Sequence, residues 1–176
     1  GVQRFLSALP AIDKPVVAAV NGHAIGIGTT MLLHCDLVYV GRSASLRMPF
    51  VELGLAPEFG SSRLLPQLVG MQRASSLLLL GEAMSGEDAV RFGLATEVLD
   101  DDKVQARALE QAQRFSDLPP SAVRSTKALL RSDVRGALED AMQREGTVFG
   151  AALRSDEAKE AMTAVLEKRP PDFSRF

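Results

Sequence analysis

The segment from Lys14 to Glu58 places the tightest constraint on how this chain folds. An entirely apolar run, Val16–Val20, ends at Asn21-Gly22, and a glycine-punctuated turn then continues to Gly28 and opens a second apolar stretch. A short apolar run bounded by turn signals is typical of a strand that is buried on both faces. A glycine-rich turn that leads into a helix leaves backbone N–H groups unpaired at the helix N-terminus. The segment therefore predicts an α/β arrangement with a site that stabilises negative charge.

Hydrophobic periodicity divides the chain into an α/β part, residues 1–100, and a helical part, residues 101–176. Strands are predicted at 16–20, 37–40, 45–48 and 95–99. Helices are predicted at 2–9, 29–35, 63–69, 74–80, 85–93, 103–116, 119–131, 135–152 and 156–168. Ser61-Ser62 and Ser85 are predicted to cap helices, and Asp133 is predicted to separate two of them. The fold class is therefore α/β with an appended helical region.

Composition excludes several classes of protein. The 176 residues are 46% hydrophobic, which is enough for one domain with a sizeable core. The net charge of −2 disfavours a nucleic-acid partner, and Cys35, the single cysteine, rules out an internal disulfide. No apolar run approaches the roughly 18–20 residues of a membrane span, so a soluble, cytoplasmic protein without a membrane partner is expected. His23 and His34 have no matching acidic cluster, so we expect no metal site.

The polar residues around the glycine turn allow both structural and functional interpretations. The spacing of Gly22, Gly26 and Gly28 differs from a dinucleotide fingerprint, so a tight packing turn and a ligand site are equally compatible with it. His34 lies among apolar residues and is expected in the core, while His23 lies in the turn itself. Glu58 lies between Pro57 and Phe59 in an apolar loop. Partial desolvation there would raise its pKa toward that of a useful base.

In combination, these segments resemble the enoyl-CoA hydratase/isomerase (crotonase) family. The resemblance covers nearly the whole chain and rests on KPVVAAVNGHAIGIG, CDLVYV, SASLRMPFVELGLAP, LLLLGEAMSGEDAVRFGLATEVL and LEKRPPDF. It implies a ββα spiral over residues 1–100, incomplete at its N-terminus, and a helical trimerisation region over residues 101–176, with trimers often paired into hexamers. It also implies a coenzyme A thioester as substrate and no separate cofactor.

The resemblance assigns roles to residues of the glycine turn. The family stabilises a thioester enolate with two backbone N–H groups, and the matching donor here is Ile27, with Ala24 and Gly26 beside it in the substrate-binding turn. Hydratases of the family carry two glutamates, and the matching positions are occupied here by Thr30 and Phe50. Neither side chain can act as an acid or base toward water, which disfavours hydration.

Glu58 matches the catalytic glutamate of the peroxisomal-type Δ3,Δ2-enoyl-CoA isomerases. Those enzymes have a Pro-Glu-Gly-x-Ser-Ser-like stretch, and this chain reads Pro57-Glu58-Phe59-Gly60-Ser61-Ser62, with Phe59 as a departure from the usual order. The resemblance therefore implies an isomerase that shifts a 3-enoyl double bond to the 2-trans position with one glutamate base.

Two alternatives to an active isomerase stay open. In the family, the first oxyanion N–H and the adenine-binding loop belong to a segment upstream of the position of Lys14, and neither feature is found in this sequence. Weak or no activity is therefore expected of this chain alone. A non-catalytic acyl-CoA-binding protein is one alternative, and another crotonase-type reaction, such as thioester hydrolysis, is the other. Lys168 and Arg169 are compatible with contacts to CoA phosphates or with solvated terminal charges.

Overall fold

The computed structural model describes all 176 residues. It contains six strands, β1 Val17–Val20, β2 His23–Ile25, β3 Leu37–Gly41, β4 Ser45–Arg47, β5 Met84–Ser85 and β6 Glu97–Leu99. The α-helices are α1 Val2–Ala11, α2 Ile27–Thr30, α3 Ser61–Val69, α4 Met71–Leu79, α5 Gly86–Arg91, α6 Val104–Ser116, α7 Pro120–Ala152 and α8 Asp156–Leu166. Two 3₁₀ helices cover Met31–His34 and Val51–Leu53.

The strands form two small sheets that repeat a ββα pattern. In one sheet β1, β3 and β6 are parallel, with Val17 opposite Leu37 and Tyr39 opposite Glu97. In the other sheet β2 is parallel to β4, and β5 is antiparallel to β4. Equivalent strands of successive ββα units therefore lie side by side, which confirms the predicted spiral. Strands β2 and β5 escaped prediction because runs of three and two residues show no alternation of their own.

The core lies between the two sheets and the helices that follow them. Its largest fully buried side chains include Val40 of β3, Leu46 of β4, Met48 directly after β4, Leu65 of α3 and Met84 of β5. Each such side chain contributes about 1.5–3 kcal/mol by leaving water. Because β2 and β4 are paired inside this packing, the turn after β2 is attached to a rigid support.

The predicted break near Asp133 is wrong, because α7 is one continuous helix of 33 residues. An interior Asp costs a helix less than about 1 kcal/mol relative to Ala, and unlike proline it keeps its backbone N–H. Contacts with the α/β part also hold α7 in place. Lys127 Nζ lies 2.7 Å from Asp36 Oδ2 and Arg131 Nη2 lies 3.3 Å from Asp36 Oδ1. The same carboxylate accepts a hydrogen bond from the Val16 N–H.

The other helices of the C-terminal part also contact the α/β part. Helix α6 packs on β1 and β3, where Val104 and Ala108 surround Tyr39. Helix α8 packs on the Val51–Leu53 helix, and a Cβ placed on Gly54 would lie 2.7 Å from the Ala158 nitrogen. No helix, α7 included, is apolar enough over 18 residues to cross a membrane. The trimerisation role of residues 101–176 stays a prediction.

Candidate active site

The turn between β2 and α2 presents a free backbone donor at Ile27. Gly26 has φ 56° and ψ −120°, a conformation that glycine adopts without a Cβ penalty, and its N–H donates to the Arg47 carbonyl at 2.8 Å. Its carbonyl accepts from the N–H groups of Thr29 and Thr30 and so starts the helix. Ile27 is the first residue of α2, so its N–H has no acceptor within the helix. The predicted oxyanion donor is therefore positioned at a helix N-terminus, beside an exposed Ile27 side chain.

Buried neighbours hold this turn in place. The Thr29 hydroxyl donates to the Ala24 carbonyl at 2.5 Å and accepts from the Arg47 N–H at 3.1 Å. A Cβ placed on Gly28 would lie 3.9 Å from the Ala24 Cβ, and one placed on Gly26 would lie 4.0 Å from the Phe50 ring. Phe50 is buried, so an apolar ring fills the position that matches a hydratase glutamate.

Glu58 lies next to the helix that carries the donor. Its Oε1 accepts a hydrogen bond from the Thr30 hydroxyl at 2.5 Å. Thr30 follows Ile27 by three residues, which is about 4.5 Å along a helix axis, so the residue that donates to the carboxylate belongs to the same helical turn as the Ile27 N–H. Burial raises the pKa of Glu58, the Thr30 hydrogen bond opposes that rise, and the negative charge of Glu145 adds to it. A carboxyl group with a raised pKa is a stronger base once it is ionised.

The backbone that follows Glu58 is strained and tightly held. Phe59 has φ 59°, a left-handed conformation that costs a non-glycine residue about 1–2 kcal/mol. Its carbonyl accepts a hydrogen bond from His34 Nε2 at 2.8 Å, and the two rings stack with centroids 4.1 Å apart. Burial lowers the pKa of His34 to about 4, so the imidazole is neutral near pH 7. His34 is a core residue, as predicted, and its contact with Phe59 fixes the orientation of the segment that carries Glu58.

Glu145 of α7 is a residue of this site that the sequence did not indicate. The predicted capping of α3 by Ser61-Ser62 is wrong, because neither side chain caps the helix, which begins at Ser61 after Gly60. Instead the Glu145 carboxylate accepts from the Gly60 N–H at 2.6 Å and the Ser62 N–H at 2.8 Å. The Ser61 hydroxyl turns back to the Glu58 carbonyl at 2.6 Å. A residue 85 positions away along the chain leaves no local signal of such a contact.

Several other candidate residues lie apart from this arrangement. His23 is exposed on β2, and the Glu52 carboxylate pairs with Arg47 at 2.5 Å. Burial raises the pKa of the Cys35 thiol to about 11, as expected of an unreactive cysteine. Arg169 pairs with Glu160 and is therefore not a freely solvated charge. No cluster of three or more His, Cys, Asp or Glu side chains that could hold a metal ion is present.

A cavity of about 370 Å³ lies between α1 and α7. Its wall includes His34, Leu138 and Met142, and it does not include Ile27 or Glu58. The donor turn and Glu58 therefore lie outside this cavity, and the side chains of Ile25 and Ile27 beside the turn are exposed.

Comparison with known proteins agrees with this architecture. The family model for enoyl-CoA hydratase/isomerase matches residues 1–175. The chain is 34% identical over 165 residues to the 2,3-dehydroadipyl-CoA hydratase of Escherichia coli, a match that covers 94% of this chain and 65% of the hydratase. It is 31% identical to the enoyl-CoA delta isomerase 2 of Rattus norvegicus, covering 96% of this chain and 43% of that protein.

A solved structure shows the same fold at higher identity. The enoyl-CoA hydratase/isomerase from Pseudoalteromonas atlantica superposes with a TM-score of 0.95 at 44% identity, over 98% of this chain and 70% of that one. The chain spans about two thirds of the length of the E. coli hydratase and of this neighbour. The matched family model, the shared fold and the glycine turn together show that the chain belongs to the enoyl-CoA hydratase/isomerase family.

Proposed function

We propose that the protein is an enoyl-CoA isomerase that moves the double bond of a 3-enoyl-CoA thioester to the 2-trans position. The observation that carries this proposal is the single carboxylate beside the donor turn. Glu58 accepts a hydrogen bond from Thr30, and Thr30 follows Ile27 by about one helical turn. The two positions that match hydratase glutamates hold Thr30 and Phe50, so the site offers one acid/base group. A coenzyme A thioester is the substrate, and the reaction needs no separate cofactor.

The chemistry of a 1,3-proton shift requires one base and one oxyanion site. The C2 proton of a 3-enoyl thioester lies between a carbonyl and an alkene, so its removal by Glu58 gives a conjugated dienolate. The protonated Glu58 then returns the proton at C4, and the double bond forms between C2 and C3 with no other reactant consumed. The thioester oxygen becomes negative in the dienolate, and the Ile27 N–H donates to it. Loss of one such donor typically costs about 3–4 kcal/mol of transition-state stabilisation.

Thr30 supports this role by orienting the base. Its hydroxyl engages Glu58 Oε1 and leaves Oε2 for the substrate proton. The threonine hydroxyl does not ionise near neutral pH, so it fixes the carboxylate without serving as a second acid. The partial burial that raises the pKa of Glu58 brings that pKa closer to the operating pH, where general-base catalysis is most effective.

A hydratase is the alternative to which the names of several relatives point. The E. coli relative and a crotonyl-CoA hydratase of Syntrophomonas wolfei, 34% identical over 171 residues, both carry hydratase names. Water addition requires one group to activate the water and another to protonate the substrate carbon. In this chain the buried ring of Phe50 occupies one of those positions, so the geometry favours isomerisation.

The decisive experiment compares two reactions of the complete gene product. Conversion of trans-3-hexenoyl-CoA to the 2-enoyl thioester and hydration of crotonyl-CoA are each followed by ultraviolet absorbance. We expect isomerisation to exceed hydration, and Glu58→Gln to lower kcat/KM for isomerisation roughly 100- to 10,000-fold, the range lost with a general base. Circular dichroism establishes that the variant is folded.

Glu87→Gln is the matched control for this experiment. Glu87 is an exposed residue of α5 that pairs with Arg42, and neither residue belongs to the donor turn or to the segment of Glu58, so its replacement should leave the rate unchanged. Undiminished isomerisation by Glu58→Gln would contradict the proposal. Hydration faster than isomerisation would favour the hydratase, and calorimetric binding of acyl-CoA without turnover would favour a non-catalytic binding protein.

A further inference from the structure

Glu145 connects the C-terminal helix α7 to the segment that carries Glu58. Its side chain is 7% exposed, and its two oxygens accept from the N–H groups of Gly60 and Ser62. Those N–H groups belong to the turn directly after Glu58 and to the first turn of α3. Backbone donors at a helix N-terminus stabilise a carboxylate, so Glu145 does for α3 what a local cap would do.

The packing of Gly60 leaves the segment little freedom to move relative to α7. Gly60 has φ 72°, and a Cβ placed on it would collide with Leu138 Cδ1 and lie 3.5 Å from Met142 Cγ. Both of these side chains belong to α7, as does Glu145. The backbone at Gly60 therefore contacts α7 directly, and the Glu145 hydrogen bonds fix its position along the helix.

The charges facing Glu58 come from different elements. Glu145, from α7, adds a negative charge that raises the pKa of Glu58 in the same direction as burial, which is the larger cause. His34, from the helix after α2, contacts the Phe59 carbonyl and is neutral because its pKa is lowered to about 4. Arg131 of α7 interacts with the His34 and Cys35 carbonyls and with Asp36. Thr30 donates to Glu58 and has the opposite effect on its pKa.

From these contacts we propose that Glu145 is a positioning residue for the Glu58 base, holding the segment after it against α7 and supplying a fixed negative charge beside it. This inference rests on the proposed function of Glu58 as the base. Glu145 does not touch substrate in this role. It acts through the Gly60 and Ser62 N–H groups and through its electrostatic effect on Glu58.

The test is the Glu145→Gln variant of the complete gene product. Glutamine keeps an acceptor oxygen for one N–H but removes the charge and the second acceptor. The Glu58 carboxyl, followed by carbon-13 NMR titration, should have a lower pKa in the variant than in the wild type. The acid limb of the kcat/KM profile should move to lower pH, and kcat should fall roughly tenfold with little change in KM, because a misplaced base slows chemistry more than binding.

Glu160→Gln is the matched control. Glu160 is also 7% exposed, but it binds Arg169 and Arg175 in the C-terminal tail. Its replacement should leave the Glu58 titration and the pH profile unchanged. An unchanged Glu58 titration and kcat in Glu145→Gln, or the same shift in Glu160→Gln, would overturn the proposal.

Two further results keep this inference separate from the proposed function. If Glu145→Gln does not fold, Glu145→Asp keeps the charge and shortens the reach, and it should lower kcat while the pKa of Glu58 stays raised; an unchanged kcat would count against the proposal. A shifted Glu58 titration in Glu145→Gln, together with full activity of Glu58→Gln, would support the placement of Glu145 and reject Glu58 as the base.

Discussion

Two segments of this protein are each held by one inward-facing glutamate, and the two glutamates use different partners. The tail, residues 169–175, is held by Glu160, which binds Arg169 at 2.5 Å, Arg175 at 3.0 Å and the Asp172 N–H at 2.9 Å. The segment after Glu58 is held by Glu145, whose partners are backbone N–H groups. Both glutamates are 7% exposed.

The difference lies in what happens to the negative charge. Hydrogen bonding with Arg169 is the main cause that lowers the pKa of Glu160 to about 2, and the guanidinium groups offset its charge locally. Backbone N–H groups satisfy the oxygens of Glu145 but carry no net charge, so its field reaches Glu58 and raises the pKa there. The same residue type therefore fixes a terminal segment in one place and influences a functional carboxyl group in the other.

The largest effect on stability is expected from Gly60→Ala, a substitution within the segment held by Glu145. The left-handed φ of 72° costs an alanine about 1–2 kcal/mol, and the collision with Leu138 adds about 1–3 kcal/mol. Gly93→Ala is the control, because φ there is 83° and the nearest atom to a new Cβ is 3.9 Å away. Urea denaturation should show the excess loss at Gly60, and equal losses at the two glycines would mean that α7 does not confine the segment.

A second effect, a loss of about 3 kcal/mol in the free energy of unfolding at low pH, is expected from the protonation of His34. Its pKa falls from 6.5 in the unfolded chain to about 4 in the fold, and each tenfold change in proton affinity corresponds to about 1.4 kcal/mol. The folded state binds this proton less readily, so the stabilisation is complete above pH 6.5 and is lost as the pH falls toward 4. Unfolding free energies measured across that range should decline less steeply in His34→Gln. A slope identical to the wild type would contradict a buried, neutral imidazole under Phe59.

The smallest effect is expected in the tail. Arg175→Ala removes one of two guanidinium partners of Glu160, and Arg175 is well exposed, so the melting temperature should change little. Isomerase activity should be unchanged, because this contact lies apart from the glycine turn. A clear loss of activity at constant stability would show that the tail influences the segment of Glu58. That result would contradict the separate roles given to Glu160 and Glu145.

The sequence predicted the parts of the site that carry local signals. The turn at Gly26 and the apolar run before it are visible because glycine spacing and strand length are properties of neighbouring residues. Glu58 stood out because Pro57 and Phe59 flank it, and the resemblance gave it a role. The helix cap by Ser85 was also readable, and its side chain does accept the Asp88 N–H.

The parts that escaped prediction depend on distant contacts. Glu145 binds the N–H groups of Gly60 and Ser62 across 83 to 85 residues of sequence. The residues near Ser61 therefore carry no sequence signal that the cap comes from α7. The continuity of α7 past Asp133 is supported by contacts on both sides of that residue, because Lys127 and Arg131 bind Asp36 and Glu145 binds the Gly60 N–H. Local propensity is too weak to decide either point, because it amounts to less than about 1 kcal/mol per residue.

The pH dependence of 3-hexenoyl-CoA isomerisation tests the single-base account most directly. With Glu58 as the one ionising group, kcat/KM should rise with pH through a single inflection above the ordinary glutamate value of 4.5 and then stay level through the neutral range. A bell-shaped profile with a descending limb near neutral pH would require a second, protonated group in the mechanism. That result would contradict the central claim that one carboxylate carries the proton from C2 to C4.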